Sequence, residues 1–134
     1  MCIRDRDYTY QYEFAKMASE NGVANYSLVS STGANAKSLF FYTKIKGALE
    51  ESVKKLNFQK IDIFQPPMLI RQPDLIRAGE KSGIKFLNAV NKIGLLKSQK
   101  PLNVKNLAVK MVSFAMLKNQ FGVTTYQTKD LFNY

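Results

Sequence analysis

Cysteine occurs once in these 134 residues, at position 2. A lone thiol builds neither a disulfide framework nor a cysteine metal site. No run of 18 apolar residues occurs, so no stretch reads as a membrane-spanning helix, and no N-terminal leader reads as a secretory signal. The expectation from these absences is a soluble cytoplasmic protein without a membrane partner. Acidic residues are scarce, ten against twenty basic ones, which leaves a net charge of +10. That balance invites a nucleic-acid reading. The cations are scattered, however, with Lys37, Lys44, Lys54, Lys60, Lys85, Lys97, Lys110 and Lys118 falling on several elements. Zinc-finger spacing, an RNA-binding aromatic motif and a basic stripe are all missing. A solvated surface with weak attraction for polyanions is expected, and no specific nucleic-acid partner. The sequence leaves the oligomeric state open.

What is present is regular. Hydrophobic residues make up 46% of the chain and recur with clear periods, enough for one small domain with a core. The pattern predicts a helix over 7–21 closed by Gly22, a strand over 26–30, and a loop over 31–37. Ser38 is then expected to cap a helix running to about Asn57. A second strand covers 60–64 and stops at Pro66 and Pro67; a loop follows over 68–77, where Pro73 forbids a long helix. A helix over 80–91, a helix over 104–118 capped by Asn103, a short strand over 123–126 and a turn capped by Thr128 complete the chain. Strands alternating with helices indicate an α/β layer with parallel strands.

Tyr42 and Lys46 stand about one turn apart on the second predicted helix. Seven tyrosines and sixteen lysines make about one Tyr-x-x-x-Lys pair expected by chance, so spacing alone carries little. Helix phase separates the two pairs present. Tyr42 and Lys46 share a face with Ile45, Leu49, Val53 and Leu56, while Lys44, Glu51 and Lys55 point away. In the other pair, Tyr10, Phe14 and Met17 form the apolar face of the first helix and leave Lys16 in solvent. A lysine on a buried stripe needs a partner. The plain reading is a core-edge tyrosine beside a snorkelling lysine. The chemical reading joins them to Ser31 at the end of the preceding strand. Ser31 would hold a carbonyl oxygen and Tyr42 would exchange its proton. Lys46 would favour the tyrosinate, lowering a phenol pKa that is ordinarily near 10, and hold a cofactor hydroxyl.

Residues 30–34 (Ser-Ser-Thr-Gly-Ala), Phe41-Tyr42-x-x-x-Lys46-Gly47-x-x-Glu50 and Arg77-Ala78-Gly79-Glu80 together resemble the atypical short-chain dehydrogenase/reductases. The likeness is nearest to the NAD(P)H-binding proteins related to the Tat-interacting oxidoreductase, and it covers residues from about 8 to 134. It implies a Rossmann-type sheet, a bound NADP or NAD, and a small carbonyl or alcohol substrate. Tyr42 matches the proton donor and Lys46 the ribose-binding lysine. Ser31 matches the carbonyl-orienting serine, with Ser30 and Thr32 as alternatives, and Arg77 matches a basic residue near the cofactor. One departure stands out: many relatives read Phe-Arg-Pro where this chain has Phe64-Gln65-Pro66, which leaves NAD against NADP open. A non-catalytic NAD(P)-binding regulatory protein of the same fold would share nearly all these residues.

The glycine-rich turn that opens a Rossmann domain does not occur. With the resemblance, this makes the expected fold the C-terminal half of a doubly wound parallel sheet, its N-terminal βαβ units missing. Residues 7–134 are the expected portion of the domain. Residues 1–6 break the helical pattern and resemble a translated sequencing adaptor, so they are read as an artefact. The expected strand over 26–30 would lack its neighbour on one edge. The chain alone is therefore predicted neither to bind NADPH tightly nor to melt as a monomer. Calorimetric titration and a thermal melt check this, and a cooperatively melting monomer with micromolar affinity would contradict it.

Overall fold

The computed structural model describes residues 4–67, 69–70, 102–117 and 120–132. Strands β1 (Asn25–Val29), β2 (Lys60–Phe64) and β5 (Gly122–Tyr126) form a parallel sheet in the order β1-β2-β5. Asn25 stands opposite Lys60, and Lys60 opposite Gly122; Val29, Phe64 and Tyr126 are likewise level. The three strands therefore end flush. Beyond their ends the ladder continues by one bond each, from Ser30 N–H to the Phe64 carbonyl (2.7 Å) and from Gln65 N–H to the Tyr126 carbonyl (2.9 Å). Two short strands, β3 (Leu69–Ile70) and β4 (Leu102–Asn103), pair in parallel apart from this sheet. The periodicity did not predict them, because two residues are too few to show a period of two.

Alternation along β2 sends Ile61 and Ile63 to one face and Lys60, Asp62 and Phe64 to the other. All five are buried, as a central strand covered on both faces requires. On the first face, α1 (Tyr10–Glu20) and α2 (Phe41–Val53) bring Ala15, Leu49 and Val53 against Leu28, Ile61 and Ile63. On the second, α3 (Val104–Ala115) and α4 (Thr128–Phe132) join Leu107 and Leu131 to Phe64, Leu102 and Tyr126. The result is a mixed α/β fold, a three-stranded parallel sheet flanked by helices, consistent with part of a Rossmann-like domain.

Several local expectations are corrected. A five-residue π-helical turn, Asp5–Thr9, precedes α1, so the backbone is already helical ahead of the expected position 7. Helix α1 buries Ala15, with Tyr8 and Tyr12 packed against the core, and leaves Tyr10, Phe14 and Met17 exposed. The inward face is set by the small Ala15, which lets the helix approach, and not by the row of large side chains. Lys16 is exposed. Ser38 does not occupy the N-cap of α2, which falls at Phe40. Its hydroxyl accepts from Phe40 N–H at 3.2 Å and shares a bond with the Thr43 hydroxyl at 2.6 Å. Asn103 caps α3 as expected, accepting from Lys105 N–H at 2.9 Å. Lys60, read as a surface cation, is 3% exposed. Its ammonium lies 3.3 Å from Asp62 and donates to the Phe114 and Leu117 carbonyls, closing the C-terminal end of α3, where a cation is favoured. The predicted helix over 80–91, most of the loop over 68–77 and Arg77 lie outside the described residues.

Gly47 governs the seat of the loop after β1. A Cβ there would come within 2.2 Å of the backbone at Asn35 and Ala36, so the loop lies directly on the helix. Asn35 N–H donates to the Thr43 carbonyl at 3.0 Å across the same contact. Gly47→Ala must displace this backbone, and a loss of about 3 kcal/mol is predicted, at the upper end of overpacking costs. Urea denaturation of the full-length protein checks this; a midpoint equal to that of the parent would mean that the loop does not lie against the helix.

Candidate functional site

The site lies where the level strands end and α2 begins. After Val29 the chain carries three hydroxyl residues, and each goes a different way. Ser30 is buried, and its hydroxyl has no hydrogen-bond partner among the described residues. Thr32 bonds to the Gln65 carbonyl at 3.1 Å and to the Thr128 hydroxyl at 2.8 Å, tying together the loops after all three strands. The Ser31 hydroxyl makes a long 3.4 Å contact with the Thr32 carbonyl and lies near enough to the Tyr42 phenol to offset part of the rise in its pKa. Of the three hydroxyls, that of Ser31 is the one that acts on the Tyr42 phenol.

Ile45, Leu49 and Val53 of α2 are buried, while Lys44, Glu51 and Lys55 are exposed. Tyr42, in the first turn, is 46% exposed. Lys46 is 5% exposed, and its ammonium lies 6.0 Å from the centre of the Tyr42 ring. The partner that a buried lysine requires is Asp7, whose carboxylate is 3.4 Å away and also buried. Arg6 reaches the other Asp7 oxygen at 3.0 Å from a largely exposed position. The Tyr8 hydroxyl bonds to Ser52 at 2.9 Å and fastens this turn onto α2.

The charges act on the phenol against expectation. Burial and then the Asp7 carboxylate hold the Tyr42 pKa above its ordinary value; Arg6 and the Ser31 hydrogen bond offset only part of this. The expected lowering by Lys46 is not what the geometry delivers, because its charge faces a carboxylate.

Sequence reasoning missed two acids. Asp7 was signalled only by the demand for an anion opposite an inward lysine. Glu50, 4% exposed, receives both bonds of the Gln65 amide, at 2.9 and 3.1 Å. Gln65, where the resembled family has arginine, is thus committed to Glu50, one turn along α2 from Lys46. Arg77 lies outside the described residues. Among the described residues no acidic or sulfur cluster suited to a metal occurs, and no helix is long and apolar enough to cross a membrane.

No family model matches the chain. Individual proteins do. The chain is 38% identical over 87 residues to protein fmp52, mitochondrial, of Emericella nidulans, covering 65% of this chain and 37% of that protein. It is 36% identical over 122 residues to protein FMP52, mitochondrial, of Lodderomyces elongisporus, covering 89% and 51%. It is 34% identical over 86 residues to protein HTATIP2 of Rattus norvegicus, covering 64% and 35%. The chain thus spans about a third to a half of the length of these relatives. They support the family resemblance loosely, as a likeness over part of each chain. They overturn the cytoplasmic expectation: the fungal relatives are named mitochondrial, and the absence of a leader or apolar span was no argument for the cytoplasm.

Tyr42, Tyr26 and Tyr126 all have pKa values raised above 10.0, each chiefly by burial, with the Asp62 carboxylate adding to the effect at Tyr126. A raised folded pKa means that the unfolded chain releases the proton first. The stabilisation is therefore complete below about pH 10 and is lost as pH rises through the folded values. Urea midpoints of the full-length protein are predicted to hold steady to about pH 9 and to fall above about pH 10. Replacing all three tyrosines by phenylalanine should flatten that fall; an equal fall in the variant would contradict the assignment.

Proposed function

We propose that residues 7–134 are the C-terminal portion of an NAD(P)H-dependent oxidoreductase of the atypical short-chain dehydrogenase/reductase type, acting on a small carbonyl or alcohol. The observation that carries this reading is the meeting of Ser31 and Tyr42 at the carboxyl ends of parallel strands, with Lys46 buried one turn along. Ligands of open α/β sheets bind in that position. The donor set suits the ribose end of a nicotinamide cofactor: Lys46 has three N–H donors, and Asp7 takes up only part of them. Bound NAD(P)H would supply the hydride, which no side chain can. Ser31 would orient the carbonyl oxygen and Tyr42 would give it a proton. Lys46 would hold the ribose, with Arg77 a further cofactor contact. The described residues offer no turn for the pyrophosphate. Similarity to relatives named mitochondrial supports a mitochondrial setting.

A second reading, a non-catalytic NAD(P)-binding regulatory protein, is favoured by one observation. The Tyr42 pKa is raised where easy proton exchange needs it lowered. Oxidation of NADH and NADPH by the full-length protein, against a panel of aldehydes and ketones, separates the two. The oxidoreductase reading predicts turnover that Tyr42→Phe lowers about 10²–10⁴-fold while cofactor affinity is kept. Lys46→Ala is predicted to lower both. Tight cofactor binding with no turnover on any carbonyl would favour the regulatory protein, and no binding of either cofactor would overturn both.

A further inference from the structure

We propose that Asp7 is the positioning residue of this site: its carboxylate fixes the Lys46 ammonium and sets how much of that charge acts on the Tyr42 hydroxyl. The proposal rests on the oxidoreductase reading for its catalytic meaning, but its physical content stands on the contacts. Asp7 is 7% exposed and Lys46 5%, with 3.4 Å between their charged atoms. Two burials this deep, on the turn before α1 and on α2, are tolerated only because each charge answers the other. The turn is also pinned to α2 by Tyr8 and Ser52, so Asp7 is held in place and not free to drift.

Among the described residues, the surrounding charges are few. Arg6 lies on the same turn, bound to Asp7 and largely exposed. From α2 come Lys46 and Tyr42, and Glu50 one turn further, whose carboxylate is occupied by Gln65 from the end of β2. From the loop after β1 comes Ser31, uncharged. Asp7 is thus the acid that faces both Lys46 and Tyr42. With Asp7 in place, the phenol gives up its proton less readily, and the lysine is oriented with donors to spare for a ribose hydroxyl. A ribose hydroxyl that draws Lys46 away from Asp7 would change the balance of charge at Tyr42. Cofactor binding and proton readiness are coupled through one ion pair.

The test is Asp7→Asn in the full-length protein. The Tyr42 titration is read from ionised-phenol absorbance as the difference from the Tyr42→Phe background, and needs no turnover. Its midpoint is expected to fall in a variant whose melt remains cooperative, and the pH profile of turnover should move to lower pH with it. An unchanged midpoint in folded Asp7→Asn overturns the proposal. If that variant does not fold, the charge-free pair Asp7→Asn with Lys46→Met decides: the Tyr42 midpoint should still fall, because the carboxylate that raises it is gone, and no change overturns the proposal. Should Tyr42→Phe prove fully active, the oxidoreductase reading fails while the titration still decides the role of Asp7.

Discussion

A positive charge buried among apolar side chains is the constraint around which this site is arranged. Lys46 lies on the inward stripe of α2, beside Ile45 and Leu49, where a lone ammonium would be strongly unfavourable. Asp7 relieves it and in doing so fixes the turn ahead of α1 against α2. Removing one member of such a pair costs about 3–5 kcal/mol, since the other is left buried and unanswered. Under the proposed function, stability and chemistry share the same two side chains. A folded core alone would be served as well by a leucine at position 46.

The rest of the site follows from close approach and level strand ends. Gly47, the neighbour of Lys46, lacks the atom that would push away the backbone at Asn35 and Ala36, so the loop after β1 lies down on α2. Ser31, in the same loop, carries the hydroxyl that acts on Tyr42. Thr32 holds the loop from the other side, through the Gln65 carbonyl and Thr128. Because Val29, Phe64 and Tyr126 are in register, these loops leave the sheet at one height and form a single rim. The second buried pair, Lys60 and Asp62, lies towards the opposite end of β2 and closes α3, a structural use of the same pairing rule.

Much of the frame was legible in the sequence, because long periodic stretches dominate it. The helix carrying Tyr42 and Lys46, the strand over 60–64 and the Asn103 cap follow from spacing and side-chain chemistry. The inward phase of Lys46 does too. What the sequence hid depends on tertiary neighbours. The face of α1 was assigned from its largest residues, whereas packing chose Ala15. Lys60 looked like a surface charge because nothing local shows that it will meet the last carbonyls of a helix more than fifty residues away. The rise in the Tyr42 pKa was out of reach for the same reason: it needs Asp7, 35 positions earlier, and the burial that comes with folding. Gln65 was taken as a lost cofactor-side charge, and the structure gives it a definite partner in Glu50.

The central claim is that the buried Lys46 serves a nicotinamide cofactor as well as the fold. A crystal structure of the full-length protein with NADPH tests it most directly. The account predicts the nicotinamide ribose within about 3 Å of the Lys46 ammonium and the nicotinamide ring beside Ser31 and Tyr42. A cofactor bound elsewhere, with Lys46 still held by Asp7 alone, would contradict it.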